Sequence, residues 1–87
     1  MKLEYHPQFA KHYKKRIKAS SSLSRKFSER LALFMQDSKH ALLHDHQLVG
    51  KLSTFRAFSI TGDIRVVYKK EGTILRLYDI GTHNQVY

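Results

Sequence analysis

The sequence predicts an α+β fold in which a helical hairpin packs on one face of an antiparallel sheet, in the order β-α-α-β-β-β. Three observations carry this reading. Apolar residues recur every three to four positions between Phe9 and Phe34, which is the period of one helix face. Beyond Gly50 the period shortens to two in "FRAFSI", "IRVVYKK" and "TILRLYDI", segments rich in the β-branched and aromatic residues that suit strands. Those three segments are separated only by "TGD" and "EG", glycine-containing links too short for a crossover, so the strands they join run antiparallel.

Taken in order, "KLEYH" alternates apolar Leu3 and Tyr5 with polar neighbours and forms a short first strand. Pro7 suits the first turn of a helix, where its missing N–H costs nothing. Phe9, Tyr13 and Ile17 then lay one apolar stripe along about three turns, with Lys11, Lys14, Lys15 and Lys18 on the remainder. "ASSS" interrupts the pattern, and Ser21 or Ser22 is expected to cap a second helix. In that helix Leu23, Phe27, Leu31, Phe34 and Met35 share a face. Past Asp37 the pattern dissolves into the connecting segment "SKHALLHDHQLVGKLS". This layer order leaves the sheet face opposite the helices partly open, where a site can be built.

The 87 residues form a single domain, 1–87, because shorter chains rarely divide into two cores. No cysteine is present, which removes thiol catalysis and zinc–thiolate sites. No run of about 18 apolar residues occurs, so a soluble, cytoplasmic chain without a membrane partner is expected. Sixteen Lys and Arg against seven Asp and Glu give a net charge of +9, a strong field for polyanions. Nine of the basic side chains fall within residues 1–30, against two acidic ones. Nucleic acid or an acidic protein partner is implied.

"HDHQLVGKLSTFRAFSITGDIRVVYKK" followed by "LYDIGTHNQVY" resembles the RelE/ParE toxin superfamily and, within it, the YafQ-like branch of messenger-RNA interferases. The combination "H.L.G", "R.F", "GD.RVVY" and "GTH...Y" in that order carries the likeness. The resemblance implies a toxin of a type II toxin–antitoxin pair with a microbial-ribonuclease-like fold. It also implies a cognate antitoxin as partner in a hetero-oligomer, and activity on messenger RNA held in the ribosome. A ParE-like toxin that inhibits a DNA topoisomerase without chemistry is the alternative. An ordinary basic nucleic-acid-binding module explains the charge but not the terminal motif.

Cleaving RNA without metal needs a base for the 2′-OH, an acid for the departing 5′ oxygen, and donors for the phosphate. Histidine titrates near ~6.5 and suits both proton transfers. His46 and His83 match histidine positions of the YafQ-like motif and share these roles, with the division between them open. Asp63 matches a site aspartate and would orient an imidazolium, although Asp after Gly in a hairpin is also ordinary turn chemistry. Arg56 and Arg65 flank that turn and are both expected on the open, phosphate-binding face. Lys51 and Ser59 complete the expected RNA contacts. Tyr87 closes the terminal motif, where Gly81 permits a sharp exit from the strand and the phenol can stack on a base. Arg76 reads as a surface residue on an outer strand.

Three positions depart from the YafQ-like pattern. Ser59 stands in place of a second histidine, Ile64 in place of an aromatic, and Asp79 in place of an arginine near the phosphate. Losing one such electrostatic contact costs about 3 kcal/mol, or about a hundredfold in rate, so a weak enzyme is expected. "HALLHDH" places His40 and His44 four apart, but no metal or other cofactor is expected from that spacing alone.

Overall fold

The computed structural model describes residues 1–87. Five strands form one sheet in the order β1-β5-β4-β3-β2: β1 is Lys2–Tyr5, β2 His46–Gln47, β3 Arg56–Ser59, β4 Ile64–Glu71 and β5 Ile74–Thr82. Helices α1 (Pro7–Arg16) and α2 (Ser21–Gln36) lie between β1 and β2, and a single turn, α3 (His83–Val86), follows β5. The meander β3-β4-β5 is antiparallel, as its short links require. β1, in contrast, pairs parallel with β5, which the intervening helices make possible. The sheet is therefore mixed rather than antiparallel throughout.

The first helix begins as its sequence dictates. Pro7 occupies the opening turn and the His6 ring accepts the N–H of Gln8 at 3.1 Å. Helix α2 is capped by Ser20, whose hydroxyl accepts the N–H of Leu23 at 3.2 Å, one residue earlier than the expected Ser21 or Ser22. The helices meet through their rings, with Phe27 5.8 Å from Phe9 and 5.2 Å from Tyr13 between centroids. Met35 sits off the buried face, at 42% exposure. The connecting segment also holds more order than its pattern shows: two 3₁₀ turns, Ala41–Leu43 and Gly50–Leu52, flank β2.

Burial divides the sheet into two faces. Phe58, Val66, Tyr68, Leu75, Leu77 and Ile80 pack with Phe9, Ile17, Phe27, Phe34 and Leu43 beneath the helices. Leu77 and Ile80 are three apart, which a regular strand would place on opposite faces. Tyr68 pairs with Leu77 and Val67 with Asp79, so Tyr78 is an extra residue in β5, and this bulge restores both side chains to one core. The opposite face carries a smaller cluster of Leu48, Ala57, Val67 and Val86, with Leu52, Phe55 and Tyr78 partly buried against it. No helix covers this cluster apart from the single turn α3, and the face stays largely open.

Candidate active site

On the open face, His46 from β2, Lys51 from the following 3₁₀ turn, and His83 and Tyr87 from the C-terminal turn line one depression of about 490 Å³, floored by Leu48 and Leu52. The two imidazoles singled out by the sequence thus share one concavity. Each is held by local chemistry. His46 Nδ1 lies 2.9 Å from the carbonyl oxygen of His44, and a carbonyl only accepts, so Nδ1 carries the proton and Nε2 of the neutral ring keeps its lone pair. His44 bends the chain there with φ 47°.

His83 opens α3. The Thr82 N–H donates to Gln85 Oε1 at 2.8 Å and fixes that turn. Across it the rings of His83 and Tyr87 meet edge to face, centroids 4.6 Å apart at 89°. Arg65 reaches the same ring from β4, its guanidinium carbon 5.9 Å from the Tyr87 centroid. Burial raises the Tyr87 phenol above its ordinary value and Arg65 opposes this only in part, so near neutral pH the hydroxyl keeps its proton and can donate.

The other candidates are placed differently. Asp63 is exposed in the β3-β4 turn, with its N–H on Thr61 Oγ1 at 3.1 Å. Because Ile64 pairs with Thr82, Asp63 and His83 are the next residues beyond the same end of the ladder. Ser59 is opposite Arg65 in register but is 9% exposed, and it lines a separate small depression with Arg30, His44 and Thr61. Arg56 does not face the open side as expected. Strand alternation puts it on the face of Phe58, where it donates to Asp45 Oδ2 at 2.8 Å and to Gln47 Oε1 at 3.3 Å.

Asp45 is a residue whose importance the sequence reading missed. Its side chain is 3% exposed and accepts from Arg56, from the Tyr68 hydroxyl and from Lys39. Burial is the largest single influence and opposes ionisation, yet the bonds from Arg56, Tyr68 and Lys39 together outweigh it and hold the carboxyl below its ordinary value. This clamp anchors β2 at the residue before His46. The sequence signal was the acid between two histidines in "HDH". His40 instead caps the first 3₁₀ turn, its ring accepting the Leu42 N–H at 3.1 Å.

Asp79 was expected to set a negative charge against the phosphate. Its carboxylate turns instead toward α1, accepting from His12 Nδ1 at 2.6 Å, Gln8 Nε2 at 3.1 Å and the Ile80 N–H at 2.8 Å, with Arg16 Nη1 at 3.6 Å. Arg76 lies between Glu4 at 2.7 Å and Glu71 at 2.6 Å at the surface, but not on an outer strand as expected, because β1 pairs on the far side of β5. A larger groove of about 580 Å³ lies on the helical side, lined by Tyr5, Phe9, Tyr13 and Phe27 with Lys14 and Lys18. Its lining contains no histidine and no carboxylate.

A mixed sheet is covered by helices on one face, and His46, His83 and Tyr87 gather on the other. Residues 1–87 match the family described as the bacterial toxin of type II toxin–antitoxin systems, YafQ. The chain belongs to this family.

Solved structures share the fold. YafQ from E. coli BL21(DE3) superimposes with a TM-score of 0.79 at 23% identity, covering 98% of this chain and 96% of the other. The E. coli DinJ–YafQ complex gives 0.75 at 26% identity, covering 98% and 96%. A YoeB/ParE toxin from Agrobacterium tumefaciens gives 0.74 at 21% identity, covering 95% and 99%, and shares the fold. No curated protein sequence matches the chain.

Proposed function

We propose that this toxin cleaves messenger RNA in the ribosome with its own side chains and without a metal ion. The observation that supports this most is the convergence of His46 and His83 on one depression beside Lys51 and Tyr87. His46, with Nδ1 occupied by the His44 carbonyl, takes the 2′-OH proton through Nε2. The 2′ oxygen then attacks the adjacent phosphorus, and the P–O5′ bond breaks. His83 gives its proton to the leaving 5′ oxygen, and a 2′,3′-cyclic phosphate remains. Arg65 and Lys51 stabilise the added charge on the phosphate oxygens. Tyr87 offers a stacking face or its hydroxyl, and Asp63 orients the His83 imidazolium from beyond the ladder end.

The relatives solved as DinJ–YafQ complexes support a cognate antitoxin as the partner that holds this chain inactive in a hetero-oligomer. The chain acts in the cytoplasm, where its substrate is. No helix is long and apolar enough to cross a membrane.

Induction of the intact gene is expected to arrest growth and protein synthesis and to leave cut messenger RNA, mapped at its 5′ ends. His83→Ala should lower cleavage by about 10²- to 10⁴-fold while far-ultraviolet circular dichroism stays unchanged. Arrest that persists in both His83→Ala and His46→Ala, with disturbed DNA supercoiling, would replace this reading with topoisomerase inhibition.

A further inference from the structure

The open face carries a second feature that the cleavage chemistry does not use. Three rings run in contact across it: His6 stacks on Tyr78 with centroids 5.0 Å apart at 27°, and Tyr78 meets Phe55 edge to face at 4.8 Å. Lys69 Nζ lies 5.8 Å from the Phe55 centroid. All four side chains are only partly buried. A sheet face left uncovered by helices ordinarily reads polar, and the small cluster beneath is already closed by Leu48, Ala57, Val67 and Val86. Packing accounts for part of each ring and leaves the outward part without a purpose.

The row is continuous with the depression that holds His46 and His83. Leu48 and Leu52 belong to both. Along β4, Arg65 marks the depression end and Lys69 the ring end, a span of about 13 Å at ~3.3 Å per residue. The row stops where Arg76, on the same face, is tied to Glu4 and Glu71.

We infer that Phe55, Tyr78 and His6, with Lys69, form a stacking platform for single-stranded RNA that holds bases flanking those at the depression. Three features favour RNA as the occupant. Flat rings accept any base without reading its edge. Lys69 and Arg65 take part in no intramolecular ion pair and remain available to phosphates. The surface also runs unbroken into the proposed cleavage site, and in this respect the inference rests on that reading. Uncovered sheets bearing aromatic rings are a recurrent design for binding unpaired RNA.

The test uses the full chain carrying His83→Ala, so that RNA is not consumed, with a short single-stranded oligoribonucleotide containing 4-thiouridine. Photocross-links are expected on the peptides holding Phe55 and Tyr78 as well as on those lining the depression. Tyr78→Leu keeps an apolar body against the cluster of Leu48, Ala57, Val67 and Val86 but loses the ring, and should weaken Kd by about fivefold to a hundredfold. Phe55→Leu provides the second variant should the first fail to fold, and the thermal midpoint of each checks this.

Unchanged Kd in both folded variants, with cross-links confined to the depression, overturns the platform and leaves the nuclease reading intact. Cross-links on Tyr78 and Phe55 in a chain whose wild-type form cuts no RNA would keep the platform and remove the nuclease. Protection of the two rings by the antitoxin alone, with no RNA contact, overturns the platform in favour of a protein interface.

Discussion

Replacing Asp79 by arginine separates two accounts of this residue. By resemblance, an arginine at that position would stabilise the phosphate, so Asp79→Arg should quicken cleavage by about a hundredfold. By geometry, residue 79 faces α1 and the same change should unfasten that helix. Asp79 is 9% exposed at its side chain and collects three donors, with Arg16 Nη1 at 3.6 Å. Removing one partner of a buried polar set costs about 3–5 kcal/mol. The facing side chains of His12 and Arg16 are 22% and 18% exposed, so water recovers part of that, and about 2–3 kcal/mol is the expected loss. Urea slopes of ~1–3 kcal/mol per M convert this into a midpoint lower by about 0.7–3 M. Asp79→Asn keeps an acceptor for the Ile80 N–H and should lose about half as much. An arginine variant as stable as the parent and faster on RNA would refute the geometric argument.

Two further outcomes follow from the same coordinates. Asp45→Asn removes the charge that Arg56, Tyr68 and Lys39 surround, and should lower stability by about 1.5–3 kcal/mol. Because the folded carboxyl titrates below its unfolded value of ~3.9, this stabilisation is present above that pH and is lost as pH falls through the lower folded value. Thermal midpoints measured from pH 6 to pH 2 should therefore fall more steeply in the parent than in Asp45→Asn, and parallel curves would refute the clamp. In Gly81→Ala the new methyl group would sit 2.6 Å from Gln85 Oε1 and 2.7 Å from Arg16 Nη1. Those atoms hold the Thr82 N–H and the Ile80 carbonyl, so both bonds must yield. A loss of about 1–2 kcal/mol and reduced cleavage through displaced His83 are expected in melting and RNA assays, and an unaltered variant would show that the turn tolerates the shift.

Much of this was readable before any coordinates, and the parts that were not have physical causes. The helices and the meander were legible because their periods are dictated by burial on one face, so Phe9, Tyr13, Phe27 and Phe58 announce themselves. The pairing of His46 with His83 was implied by the resemblance to the YafQ-like motif. The parallel pairing of β1 with β5 left no local signal, since four residues of strand do not state their partner. Arg56 and Arg65 read alike in sequence as polar residues near one hairpin. An odd separation of nine positions within antiparallel neighbours places them on opposite faces, a consequence of register that no single strand reveals. Asp45 and Asp79 were misjudged for a related reason. A carboxylate's role depends on which donors the fold brings to it, and His12 lies 67 positions from Asp79.

Those carboxylates also explain how a chain of net charge +9 acquires a local site rather than a uniformly attractive surface. Asp45 engages Arg56 and Lys39, Glu4 and Glu71 engage Arg76, and Asp79 faces Arg16. Each pair removes a cation from the sheet or its margins outside the depression. Lys51 and Arg65, which border it, have no acidic partner within ion-pair distance. On the open face of the sheet Lys51, Arg65 and Lys69 thus keep their charge available, and an RNA strand drawn by the overall charge meets free cations beside His46 and His83. Asp63, the acid beyond the same ladder end as His83, is unpaired as well. It is exposed in its turn, with its N–H on Thr61 Oγ1, and absent from the lining of the depression, so its charge is screened by water and costs the approach of phosphate little.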